Sequence, residues 1–180
     1  MIIGLSGYAQ TGKDTIAKYL IEEHGYRRVA FADKIREALY RLDPILTDIP
    51  EIPRAGLASA VDHIGWETLK QHSEQARGLL QRFGTEVGRE MFGDNFWVDQ
   101  AIRGVSKFDK VVFTDIRYPN EYKAVKLIEG KIIRIVKPSV TAINGHTSES
   151  ALDGHLFDGT IDNVGSIEEL HKKIDLFVKG

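Results

Sequence analysis

Residues 7–15, GYAQTGKDT, place two glycines and a lysine where a phosphate-binding turn needs them. Gly7 and Gly12 let the backbone fold so that successive N–H groups face inward. Lys13 adds an ammonium that reaches the β- and γ-phosphates of a nucleoside triphosphate. The stretch follows a short apolar run, IIGL at 2–5, and opens an amphipathic segment. That is the strand–loop–helix setting this chemistry requires. A glycine-bearing turn with a surface lysine is the plain alternative, and the setting favours phosphate. Gly7, Tyr8, Ala9, Gln10, Thr11, Gly12, Lys13, Asp14 and Thr15 are the candidate ATP-binding residues. Asp14 stands where such loops usually carry a Ser or Thr that ligates Mg²⁺. Three roles are open: it holds the ion through water, it leaves the ion to the Thr15 hydroxyl, or it favours the first helical turn through the helix dipole.

Three further groups fall where the carboxyl ends of parallel strands place ligands. The first is Phe31, Asp33 and Lys34. Asp33 suits proton acceptance or Mg²⁺ binding, and equally a helix N-cap. Phe31 is a core residue or a platform for a base. The second is Asp115-Ile-Arg117-Tyr-Pro-Asn120-Glu121. An apolar strand leading to Asp115 resembles a Mg²⁺-positioning strand, so Asp115 joins Thr15 and Asp14 as a candidate metal ligand. Arg117 suits bidentate phosphate binding, against the alternative of a surface ion pair with Glu121. The third is Arg82, Glu86 and Arg89, spaced four and three apart on one helical face. An ordinary Arg82–Glu86 pair competes there with a monophosphate clamp helped by Thr85. Trp66, Phe96 and Trp97 read as packing residues. His146-Thr-Ser148-Glu149-Ser150 reads as part of a lid or as a solvated loop.

The elements that must position these groups follow from periodicity. Strands are predicted at 2–5, 27–31, 110–115, 131–136 and 157–162. Helices are predicted at 13–23, from Asp33 to near Asp43, at 58–72, 74–92, 95–105 and 119–128, and after a capping box, SIEE at 166–169. Residues 44–54 hold three prolines and read as a loop, and 138–155 reads as a mobile loop. Strands alternating with helices imply an α/β fold: a five-stranded, mostly parallel sheet with helices on both faces. The domain reading is a single domain with a core of 1–43 and 106–180, a helical insertion of about 44–105, and a lid of about 138–155.

Composition narrows the classes. The chain has 180 residues, 42% hydrophobic and 28% charged, with net charge −2. That balance gives no case for a nucleic-acid-coating surface. No cysteine is present, so disulfides and thiolate metal sites are excluded. The six histidines show no metal-ligand spacing. No apolar run approaches the ~20 residues needed to cross a bilayer. Met1 is followed almost at once by a predicted strand, which leaves no room for a signal peptide and makes the cytoplasm the default.

With these residues in view, the chain resembles the bacteriophage-type deoxynucleoside monophosphate kinase family. The matching stretches are GYAQTGKDT, FADKIREAL, LLQRFGTEVGREMFGDNFWV, VVFTDIRYPNEYKAV, HTSESAL and TIDNVGSIEELH, most of the chain except 43–75. GKDT is that family's own form of the loop, which explains Asp14. The resemblance implies the nucleoside monophosphate kinase fold and transfer of the ATP γ-phosphoryl group to a deoxynucleoside monophosphate, with Mg²⁺. It makes Arg82 and Arg89 acceptor-side residues and lines the acceptor pocket with Asp33, Asp115, Arg117 and Glu121. Phe31, Lys34, Glu86 and Glu149 join as candidate substrate contacts. Lys13, Arg117, Asp33, Arg82 and Arg89 are the candidate catalytic set. The partners expected are small molecules, with no nucleic acid and no membrane; a homodimer is admitted, and the host cytoplasm is the location for a phage-encoded chain. Closure of the helical block and the 138–155 loop is expected to exclude water. Dephospho-coenzyme A kinase, with Asp33 as a true base, and a non-catalytic nucleotide sensor are the rival readings.

Overall fold

The computed structural model describes residues 1–49, 54–140 and 151–179. The chain divides into two units, Met1–Phe31 with Ile102–Gly180, and Ala32–Ala101.

The first unit is built on the apolar runs. β1 (Ile2–Ser6) is buried at every position, as a central parallel strand must be. Around it lie β2 (Arg27–Val29), β5 (Val111–Ile116), β6 (Lys131–Val136) and β7 (Gly159–Asp162). The order is β2-β5-β1-β6-β7, and all four pairings are parallel. The predicted five-stranded α/β sheet is present. Alternation sends Ile3, Leu5, Val112, Ile133 and Ile135 to one face, against Ile16 and Leu20 of α1 (Lys13–His24) and Leu170 and Ile174 of α7 (Ile167–Lys179). α6 (Pro119–Leu127) packs on β6. The capping box is formed: the Glu169 N–H donates to Ser166 Oγ and the Ser166 N–H to Glu169 Oε2, both at 3.3 Å.

Two strands are shorter than expected. β2 stops at Val29 because the Phe31 N–H turns to the Asp115 carboxylate, 3.1 Å away, instead of the ladder. β7 starts at Gly159, since Asp158 spends its carboxylate on the Ile132 N–H (2.7 Å) and on Lys126 (2.7 Å).

The second unit holds α2 (Asp33–Leu42), α3 (Leu57–His72), α4 (Glu74–Arg82) and most of α5 (Phe96–Ile102). Its core joins Leu39, Leu46, Leu57, Ala60, Leu69 and Ala76. Part of the predicted 44–54 loop is instead a small antiparallel pair, β3 (Ile45–Leu46) with β4 (Ala55–Gly56). Pro50 and residues 51–53 lie outside the described residues. The predicted 58–72 helix is broken at Gly65, whose φ of 75° is open to glycine and strained for other residues.

The predicted 74–92 helix changes character midway. Residues Phe83–Met91 form a π-helix, with its wider turn. Two glycines and a tryptophan explain it. The Trp97 indole N–H donates to the Gly84 carbonyl at 2.8 Å, and a Cβ on Gly88 would sit 1.9 Å from that indole nitrogen. The ring therefore lies where an ordinary side chain would be, and the carbonyl it takes leaves the regular ladder. Trp97 is buried against Phe83 and Phe96, which bears out its reading as a packing residue.

Candidate active site

The loop between β1 and α1 is shaped as phosphate binding requires. Gly7 (φ 144°) and Gly12 (φ 103°) take backbone conformations that side chains disfavour. A Cβ at Gly7 would also lie 2.4 Å from the Ile135 carbonyl oxygen, so any other residue there would push the loop off β6. Thr11, fully buried, donates its hydroxyl to the Tyr8 carbonyl at 2.9 Å. The Asn163 side chain donates to the Thr11 carbonyl, also at 2.9 Å. Gly12 is the N-cap of α1 and brings no side chain to its first N–H groups, which leaves them directed at whatever sits above the helix. Lys13 is buried, and its Nζ donates to the Gly7 carbonyl at 2.8 Å and to the Tyr8 carbonyl. Those carbonyls hold the ammonium at the mouth of the loop.

Beside β1, the end of β5 supplies the second cluster. The Arg117 backbone N–H (2.7 Å) and the Tyr118 N–H (3.0 Å) both donate to Glu121 Oε2. Glu121 is 5% exposed, so this carboxylate fixes the turn that carries Arg117, and the Arg117–Glu121 side-chain pair considered from sequence is not formed. The Arg117 guanidinium has no ion pair among the described residues, and the residue lines a small cavity with Ser6, Gly7, Ala9, Ile116, Arg134 and Leu152. Phe31 stacks on Phe113 at 5.3 Å and is 4% exposed, which makes it a core residue rather than an open platform. Changing Glu121 to Ala should strip two part-buried N–H groups of their acceptor, at up to about 1–3 kcal/mol each where water does not replace it. A urea melt checks the stability loss. Acceptor kcat/KM should fall with it, because the Arg117 turn loses its anchor.

In the second unit Asp33 is the first residue of α2, with Ala32 at the N-cap. Its expected N-cap role is corrected to a first-turn carboxylate facing the helix dipole. Lys34 pairs with Glu37 at 2.7 Å. Arg82 and Glu86, both exposed, pair at 3.5 Å. The Arg82–Glu86 pair weighed from sequence is thus formed, while Glu86 and Arg89 lie in the π-helical segment, whose wider turn departs from the regular helical spacing assumed for them. Glu149 and the rest of 141–150 lie outside the described residues, as does most of the predicted lid.

Arg134, missed from sequence, faces the same cavity as Arg117. Its signal was present: a charge in the middle of the apolar run IIRIV, 132–136. For Mg²⁺, among the described residues no group of three or more His, Asp or Glu side chains forms a cage. An ion shared with phosphates needs only one or two protein oxygens, and the donors at hand, the Thr15 hydroxyl and the Asp115 carboxylate, are the hard oxygens it prefers.

Residues 56–174 match the model of the deoxynucleotide monophosphate kinase family. The chain belongs to that family. The family match begins beyond the phosphate loop, so the loop rests on its own geometry. A protein of Acanthamoeba polyphaga mimivirus, provisionally named deoxynucleotide monophosphate kinase, is 26% identical over 97% of this chain and 94% of its own length. The deoxynucleotide monophosphate kinases of Escherichia phage RB69 and Enterobacteria phage T4 are each 30% identical, over 57% and 54% of this chain. The matches span only 44% and 43% of those two phage proteins. Among solved structures, shikimate kinase from Aquifex aeolicus aligns over 100% of this chain and 97% of its own, with a TM-score of 0.53 and 14% identity. That likeness shows the fold, a P-loop kinase α/β sheet, and the family makes ATP the co-substrate. No helix among the described residues is long and apolar enough to cross a membrane.

Proposed function

We propose that this chain transfers the γ-phosphoryl group of ATP to a deoxynucleoside monophosphate, giving the diphosphate and ADP. One observation carries the reading: Arg117, on a turn fixed by buried Glu121, opens into the same cavity as Gly7 and Ala9 of the phosphate loop. Two anions must be brought together for this reaction, and the site offers a cation to each.

An acceptor phosphate oxygen attacks the γ-phosphorus. A bond forms there as the bond to the β–γ bridging oxygen breaks, and ADP leaves with that electron pair. The acceptor oxygen is already ionised near neutral pH, since the second phosphate pKa is about 6, so no strong base is needed. Catalysis is then positioning and charge neutralisation. Lys13 and the loop amides from Gly7 to Thr15 hold the β- and γ-phosphates. Arg117 binds the acceptor phosphate, with Arg82 or Arg89 as the assisting cation. Asp33 orients the acceptor, with Lys34, Glu86 and Glu149 as further substrate contacts, Phe31 backs the site from the core, and Glu121 acts through the Arg117 turn. Thr15 and Asp115, with Asp14 through water, would hold Mg²⁺, which would supply charge neutralisation beside the phosphates. In this reading the enzyme works in the cytoplasm, or in the host cytoplasm if a phage encodes it.

ADP release measured with ATP and dCMP, dTMP, dGMP or dephospho-coenzyme A tests it. Release dependent on at least one deoxynucleotide is expected. Release with dephospho-coenzyme A alone would mean a hydroxyl acceptor with Asp33 as its base. ATP binding with no acceptor-dependent release would mean a sensor.

A further inference from the structure

Parallel register sets Arg134 of β6 opposite Ser6, the last residue before the phosphate loop. Its side chain is only 13% exposed, and a charge held that far from water must be matched. The match is a carboxylate: Arg134 Nη2 donates to Asp153 Oδ1 at 2.7 Å, with Nη1 on Ser6 Oγ at 3.3 Å. The guanidinium also lies 4.9 Å from the centre of the Tyr8 ring and 5.5 Å from that of Phe157. The Tyr8 hydroxyl donates to the other oxygen of Asp153 at 2.9 Å, a bond that raises the tyrosine pKa.

An apolar residue would pack this strand without needing a counter-ion. Arg134 instead lines the cavity that Gly7, Ala9 and Arg117 also line, so two arginines border one space beside the loop. That space is about 10 Å³, room for roughly one water and too little for a phosphoryl group. Carboxylate and phosphate compete for the same planar fork of donors. Asp153 is 45% exposed, so its ion pair is easily given up to a more highly charged anion.

We propose that Arg134 is a second anion-binding guanidinium of this site, and that Asp153 holds its place until a substrate phosphoryl oxygen takes it over. The exchange frees the Tyr8 hydroxyl and so couples anion arrival to the loop. Which nucleotide brings the phosphate rests on the proposed kinase reaction; the anion site does not.

The test is calorimetric titration with inorganic phosphate, with thermal melts as the folding control. Asp153→Asn should tighten phosphate binding at least threefold, because the competing anion is gone. Arg134→Ala should weaken it at least tenfold, and Arg134→Lys should fall between, keeping the charge without the fork. In the double variant the gain from Asp153→Asn should vanish. Weakened or unchanged binding in Asp153→Asn overturns the proposal, because the carboxylate would then be a structural brace. That result decides even if Arg134→Ala fails to fold. Steady-state KM values for ATP and for the deoxynucleotide tell which phosphate Arg134 takes. If phosphate binding follows the stated order while no deoxynucleotide is phosphorylated, the anion site stands and the kinase reading falls.

Discussion

Replacing Lys13 by alanine should lower kcat for phosphoryl transfer about 10²–10³-fold, the scale seen when one preorganised donor to developing charge is removed. The ammonium is buried at the loop mouth and held by the carbonyls of Gly7 and Tyr8. Its position is therefore set before any nucleotide arrives, and its charge acts where water is sparse. Alanine removes bonds to these carbonyls but also removes a partly desolvated charge, so the melting temperature should move little. Arginine should not restore turnover, because a rigid fork does not replace a compact point charge in a tight turn. Steady-state kinetics with a parallel melt checks this. Unchanged turnover would remove the loop from the reaction.

Replacing Arg117 by alanine should cost about 10³-fold in kcat/KM for the acceptor, the lower end of what an arginine contributes to phosphoryl transfer. Affinity for ATP should change far less. The asymmetry comes from position. Arg117 sits on the turn after β5, the neighbour of the strand that leads to Lys13, with its backbone fixed by Glu121 and the residue lining the cavity. A loss that appears in acceptor kcat/KM and spares ATP binding marks an interaction made with the second anion. Equal losses for both substrates would refute the assignment.

The sheet and both motifs were legible because their signals are local. Apolar runs gave the strands, SIEE gave the start of the last helix, and the glycine spacing with Lys13 gave the loop. What could not be read depends on partners distant in sequence. Phe31 leaves β2 because Asp115, 84 residues on, takes its N–H. The π-helix forms around the Trp97 indole, which reaches back to Gly84. β3 and β4 are two residues each, too short for periodicity to register. Within the site, residue types were visible and directions were not. Glu121 read as a partner for the Arg117 side chain, and it holds backbone N–H groups instead. Arg134 is an interior charge of an apolar run, and only parallel register sets it beside Ser6 and the loop.

The most direct test of the account is a crystal structure with a non-hydrolysable ATP analogue and a deoxynucleoside monophosphate bound together. The account predicts the β- and γ-phosphates within the amides of residues 7–15, with Lys13 Nζ in hydrogen-bond range, and the acceptor phosphate on Arg117. A triphosphate docked anywhere else would contradict it.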